Sequence, residues 1–124
     1  VRPIGDKAYT QECTKRLIQF LTENKYDKPI SPKLLQVSLT RSSLQAPSAK
    51  DFQFISSFIL TRLDPNLVFK NFEEEFRDYL KVLGYPFPIS KSSLHVAGTP
   101  HTWPSLLGVL MWLIDLIQVV RHLF

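Results

Sequence analysis

The sequence is poor in the residues that build disulfide frameworks, metal sites and phosphate-binding loops. Its 124 residues include one cysteine, three histidines and four glycines. A single cysteine excludes a disulfide framework, and the helical spacing around Cys13 predicts an inert buried thiol in a cytosolic or nuclear protein. The histidines do not combine with Cys13 at a zinc-like spacing, and the glycines are scattered. We therefore expect no metal and no cofactor.

Groups of residues that carry catalysis are also scarce. Glu73, Glu74 and Glu75 are consecutive, so they fan around a helix start instead of converging on one point. His101 has no acid close by in the sequence, which favours a structural or binding histidine over a general base. Trp103 and Trp112 flank or lie in an apolar segment and are better assigned to a core than to base stacking. The sequence therefore shows no convincing catalytic group and no RNA-type interleaving of aromatic and basic residues.

Composition indicates one folded domain over residues 1–124. Hydrophobic residues make up 44% and charged residues 21%, as in globular proteins. The net charge of +4 is uneven, because the first fifty residues hold nine Lys and Arg against four Asp and Glu. This excess leaves two interpretations open: an ordinary solvated surface, or an acidic partner such as nucleic acid, a membrane surface or an acidic protein.

Apolar spacing predicts helices and gives little sign of strands. Apolar residues three and four apart predict an amphipathic helix from Asp6 to Asn24, capped by Asp6. A second helix follows Ser48, with an acid three residues after this cap. Its apolar stripe consists of Phe52, Ile55, Ile59 and Leu63.

The third helix has the clearest ends. Asn71 is the predicted N-cap, and the three glutamates that follow complement the helix dipole. Lys81 lies in the last turn, and Gly84 suits the left-handed position just beyond it.

The last helix, predicted from Ser105 to about His122 with Pro104 at its start, is apolar on almost every side. A membrane span is the competing interpretation. The uninterrupted apolar run is about half of the ~20 residues that a bilayer requires, and Asp115 interrupts it. A buried central helix is therefore favoured. The chain begins at Val1 without Met and shows no signal-peptide pattern, as expected for a piece of a longer protein.

A rigid connection joins the last two helices. Gly84 to Pro104 holds four prolines and two glycines, so this loop should have a defined shape. It carries Lys91 in a serine-rich turn with no acid within several residues. Lys91 is thus a candidate for contact with an external anion, and a solvated loop lysine is the alternative.

Motifs along nearly the whole chain resemble one family, the N-terminal calponin-homology head of the kinetochore Ndc-eighty (Hec) proteins. Each motif is common alone, but their order and spacing together are specific. They are Arg2-Pro3 with Asp6-Lys7, Phe20-Leu21-Thr22-Glu23-Asn24, Leu44-Gln45-Ala46-Pro47-Ser48, Lys50-Asp51-Phe52, Phe72-Glu73-Glu74-Glu75, Leu83 to Phe87, Ser90 to Ser93, Gly98, Pro100-His101-Thr102-Trp103-Pro104 and Trp112-Leu113-Ile114-Asp115.

The resemblance implies an all-α calponin-homology domain, a compact helical bundle around a buried C-terminal apolar helix. It implies a microtubule-binding head of the kinetochore rod complex, acting in chromosome segregation in the nucleus at the kinetochore of the centromere. The implied partners are tubulin, a Nuf-two type sister subunit and, through a coiled coil beyond this chain, the other rod subunits, with no nucleic acid and no membrane. An N-terminal tail is also expected in the full protein.

The same resemblance implies a basic docking face. Lys7, Lys91 and His101 match the family motifs directly, and Lys81 and Lys50 follow. Asn71 stands where a family lysine is expected, with Lys70 beside it. Residues 37–45 separate two family motifs as an insertion, expected to be a surface excursion, and they make Lys33 a weaker assignment. Lys33 and Lys70 complete the set.

Three other functions stay open. The first is an actin-binding or adaptor calponin-homology domain, because one fold serves several partners. The second is a module that only pairs with a sister head through exposed apolar residues near Leu123 and Phe124. The third is an enzyme, which would require a pocket with a perturbed acid or base.

Overall fold

Four α-helices are bounded within the part of the chain that the structure describes. A computed structural model describes residues 7–27, 49–87, 89–90, 92, 94 and 102–123. The helices are α1 (Lys7–Glu23), α2 (Ala49–Thr61), α3 (Phe72–Leu83) and α4 (Trp103–Leu123). These ranges contain no strand. The all-α prediction is confirmed, whereas the predicted caps Asp6 and Ser48 lie outside the described residues.

Helix α4 forms the centre of the core. Nine of its residues are buried, including Leu106, Leu110 and Ile114, and it packs most extensively against α1 and α2. It begins at Trp103, two residues before the predicted start. Pro104 is tolerated in the first turn because the N–H that proline lacks would have no helical partner there. The predicted buried central helix is therefore confirmed.

By length and composition alone, α4 could also cross a membrane. Half of its most apolar stretch is buried inside the protein, and the central helix of an ordinary core passes the same test. Asp115 is exposed and forms an ion pair with Arg16 of α1. These observations favour the core assignment.

Helices α1 and α4 run parallel, as two contacts along their length show. Arg16 Nη2 lies 2.7 Å from Asp115 Oδ1, and further toward the C-terminal ends Arg121 Nη2 of α4 donates at 2.8 Å to Oδ1 of Asn24, the residue just after α1. The ion pair is about half exposed on each side, so it contributes less than about 1 kcal/mol. Burial of Cys13, Leu17 and their apolar neighbours on α1 therefore holds the two helices together.

Aromatic rings join α2 to α3. Phe52 of α2 is fully buried and meets the edges of Phe72 and Phe76 at centroid distances of 6.2 and 5.9 Å. Phe69, in the connection before α3, contacts both of these rings and Tyr79. Such pairs add about 0.5 to 1.5 kcal/mol each beyond area burial. This cluster fixes α3 on the bundle.

Replacing Leu110 by alanine should reduce the free energy of unfolding by about 2 to 5 kcal/mol, because a fully buried side chain would leave a cavity in the core. Leu123→Ala on the same helix is the matched control. Leu123 is 69% exposed, so its loss should change stability by less than about 0.5 kcal/mol. Urea unfolding of both variants measures the difference. Equal losses would contradict the central position of α4.

Candidate binding surface

The start of α3 is stabilised by a carboxylate that reaches back to Asn71. Asn71 is the N-cap with extended backbone, but its side chain makes no capping hydrogen bond. Instead, the Asn71 N–H donates to the Glu75 carboxylate. Asn71 therefore holds the predicted N-cap position, but the carboxylate that bonds its N–H belongs to Glu75, one residue beyond the N3 position of a capping box. The glutamates lie in the first turn, as the dipole favours.

The end of α3 turns the chain sharply at Gly84. Gly84 has φ 94°, in the left-handed region, as predicted. Its N–H donates to the Lys81 carbonyl at 3.1 Å, and the Tyr85 N–H donates to the Leu80 carbonyl at 3.0 Å. These two bonds form a Schellman motif, which satisfies carbonyls that the helix end would leave unpaired. The turn sends the chain back along α3.

The described residues that follow, 85–87 and 89–90, are here called the return segment. The Tyr85 ring lies edge-on to Trp112 of α4 at 5.2 Å and to Phe87 at 5.9 Å. Burial raises the pKa of Tyr85 above its usual value of 10.0, so its phenol stays neutral at physiological pH. Arg77 Nε donates to the Ile89 carbonyl at 2.8 Å. The return segment is thus held by α4 at its start and by α3 near its end.

A small recess separates the return segment from α3. It is lined by Arg77, Leu80, Lys81, Tyr85, Phe87 and Ile89. Its volume is about 30 Å³, room for one water, whereas small-molecule sites occupy roughly 300 to 1,000 Å³. Within the described ranges no three His, Cys, Asp or Glu side chains could hold a metal ion. The rim, with exposed Lys81 and a 67% exposed Phe87, suits contact with another macromolecule.

The structure brings Lys81 next to the segment that leads to Lys91. Lys50, the second residue of α2, is exposed, and its Nζ lies 5.9 Å from the Phe54 ring centroid. Lys70 is exposed just before α3. Neither of these two lysines lines the recess.

Among the other predicted site residues, Lys7 lies within a described element, as the first residue of α1. Lys91, His101 and Lys33 lie outside the described residues, as do Phe124 and the predicted insertion at 37–45. A common face for Lys7, Lys91 and His101 therefore stays a prediction.

Two residues of this surface were not singled out from the sequence. Arg77 contacts a carbonyl twelve positions away, and no local pattern signals such a bond. Phe87 is a large apolar side chain left exposed between two prolines. The Pro-Phe-Pro sequence predicted an ordered loop, but it did not indicate that the Phe87 side chain would be exposed to solvent.

Comparisons with known proteins agree with this geometry. The helices, packed around a buried apolar C-terminal helix, define a calponin-homology-like module. The family model described as "HEC/Ndc80p family" matches residues 8–124. The chain belongs to this family.

Relatives in three organisms have similar sequences. The chain is 45% identical over 122 residues to the kinetochore protein NDC80 homolog of Xenopus laevis, and 45% identical over 120 residues to that of Mus musculus. It is 36% identical over 120 residues to kinetochore protein ndc80 of Schizosaccharomyces pombe. These matches cover 95, 95 and 94% of this chain but only 17, 17 and 18% of the relatives.

Replacing Gly84 by alanine should lower the free energy of unfolding by about 1 to 2 kcal/mol, because an L-residue with a Cβ is disfavoured in the left-handed region. Apart from Gly84 and its two chain neighbours, no residue has an atom within 4 Å of the position that the added methyl group would occupy, so the cost comes from the backbone conformation. Gly84→Asn is the control and should cost less, since asparagine tolerates this conformation. Thermal or urea unfolding measures both. An alanine variant as stable as wild type would contradict the turn.

Proposed function

We propose that this chain is the microtubule-binding head of a kinetochore protein, linking chromosomes to spindle microtubules at the kinetochore within the nucleus. Family membership supports the kinetochore role, because the relatives are named as kinetochore proteins. The chain spans about a sixth of their length, so the proposal concerns this head and leaves the rest of the protein aside. We propose that the head acts by binding alone, without catalysis.

The observation that carries the proposal is the position of Lys81 beside the return segment. Lys81 is exposed on the rim of the recess, and the return segment continues directly into Lys91. In this proposal Lys91 adds a second positive charge to the surface that Lys81 and the exposed Phe87 form. Lys7, His101 and Lys50 would extend this docking face, with Lys33 and Lys70 at its margin.

The proposed mechanism is electrostatic attachment to acidic tubulin. An exposed ion pair contributes about 0.2 to 1 kcal/mol, so a single head should bind weakly. Several heads on one filament would bind much more strongly, because each bound head raises the effective concentration of the next. Salt should weaken binding, since screening acts over about 8 to 10 Å at physiological ionic strength.

Pairing with a sister calponin-homology subunit is a second part of the proposal. Val119 and Leu123, on the last turns of α4, are 55% and 69% exposed. Large apolar side chains that lie together at a helix end are typical of a contact with another chain. The proposed partner is a Nuf-two type subunit, and the remaining rod subunits would join through a coiled coil outside this chain.

Lys91→Glu should weaken microtubule co-sedimentation by about threefold to thirtyfold, because one attractive charge is replaced by a repulsive one. The assay compares microtubules with actin filaments at two salt concentrations, using the chain alone and with its sister subunit. Lys15→Glu is the matched control: Lys15 is an exposed lysine of α1 that is not among the proposed contacts, and the charge change is identical.

Three results would contradict the docking face. They are binding to actin instead of microtubules, microtubule binding that is indifferent to salt, and equal losses in the Lys91 and Lys15 variants. The first would favour the actin-binding alternative.

Leu123→Glu should weaken association with the sister subunit at least about tenfold, because a buried charge would replace an apolar contact. Size-exclusion chromatography or calorimetry of the mixed subunits measures this. Lys91→Glu should leave the association unchanged, which separates pairing from microtubule binding. Normal pairing by Leu123→Glu would place the subunit contact elsewhere.

A further inference from the structure

We infer that Arg77 is a positioning residue for the docking face: its hydrogen bond to Ile89 holds the return segment on α3, beside Lys81 and the exposed Phe87. The inference rests on the proposed function for the meaning of this surface. The attachment of the segment by Arg77 stands independently of that function.

The geometry places Arg77 between the two parts that it joins. Arg77 and Lys81 are one helical turn apart on α3, so they lie on the same face, and both line the recess. Arg77 is half-buried, and its Nε donates to the Ile89 carbonyl at 2.8 Å. A half-buried guanidinium that bonds the backbone of its own chain is placed to organise that chain.

The composition of the return segment limits the backbone hydrogen bonds that it can form. Its sequence is Tyr-Pro-Phe-Pro-Ile-Ser, and the two prolines have no N–H to donate. At its start, the Tyr85 N–H bonds the end of α3 and the Tyr85 ring packs on Trp112. Near its end, the Arg77 bond to Ile89 provides the corresponding anchor. Loss of that bond would leave Ile89 tied to α3 by apolar contact.

The anchor at Ile89 also fixes the surface beside it. Lys81, Phe87 and Ile89 line the same recess, and Lys81 and Phe87 are exposed on its rim. Holding Ile89 on α3 keeps these side chains together, which reduces the ordering cost when a partner binds this surface.

The test separates positioning from direct charge contact by changing Arg77 in two ways. Arg77→Gln removes the charge, whereas Arg77→Lys keeps it but loses the planar Nε–H that reaches Ile89. Lys15→Gln on α1 is the control for loss of one charge. NMR order parameters of the Ile89 and Ser90 amides report on the segment in the 124-residue chain, and microtubule co-sedimentation reports on docking.

Both Arg77 variants should lower the order parameters of Ile89 and Ser90 from about 0.85 toward 0.6 or below, with α3 unchanged. Both should weaken microtubule binding about threefold to tenfold, the effect of losing one hydrogen bond. Lys15→Gln should change binding less than about twofold and leave the segment ordered. Unfolding midpoints near wild type would show that the core is intact.

Several results would overturn the inference. Unchanged order at Ile89 in both variants would show that Arg77 does not hold the segment. Normal binding by Arg77→Lys with weak binding by Arg77→Gln would assign Arg77 a direct charge contact. A return segment that loosens while the affinity for microtubules stays unchanged would show that order in the segment does not affect docking. If wild type fails to bind microtubules while the variants still loosen the segment, the proposed function fails and the attachment role of Arg77 stands.

Discussion

Burial of α4 is the constraint on which the rest of the structure depends. The helix is 21 residues long and too apolar to be left in water, so other helices must cover it. Helix α1 packs parallel to it, α2 covers it from another side, and the aromatic cluster around Phe52 then joins α3 to α2. Polar contacts such as Arg16 with Asp115 lie at the exposed edge of this packing and contribute little to stability.

The candidate binding surface depends on the same core. Trp112 lies on α4 and is the platform for Tyr85, so the buried helix also fixes the start of the return segment. The glycine turn at residue 84 reverses the chain, and Arg77 ties Ile89 back to α3. A core helix, a cap and one arginine thus give the return segment a defined course, although none of its residues lies in a helix or strand.

Local signals predicted the helices and their ends, because helical spacing and capping act within a few residues. The stripe on α1, the buried Cys13, the left-handed Gly84 and the apolar α4 all appear as expected. Asn71 is the N-cap as expected, but the sequence does not show that its side chain makes no capping bond or that Glu75 reaches back to its N–H. The bond from Arg77 to Ile89 and the exposure of Phe87 depend on tertiary packing, which no local pattern encodes. The proposed lysines came from family resemblance, and only Lys81 is placed by the described contacts beside the return segment.

Zero-length cross-linking of the chain on microtubules tests the central claim most directly, because a carbodiimide joins a lysine amine only to a carboxylate in direct contact. We expect cross-links from Lys81 and Lys91 to tubulin carboxylates, and none from Lys15 or Lys25, which are equally charged. Cross-links confined to Lys15 and Lys25, with Lys81 and Lys91 unreacted, would show that another surface of the bundle faces tubulin and would contradict the proposed docking face.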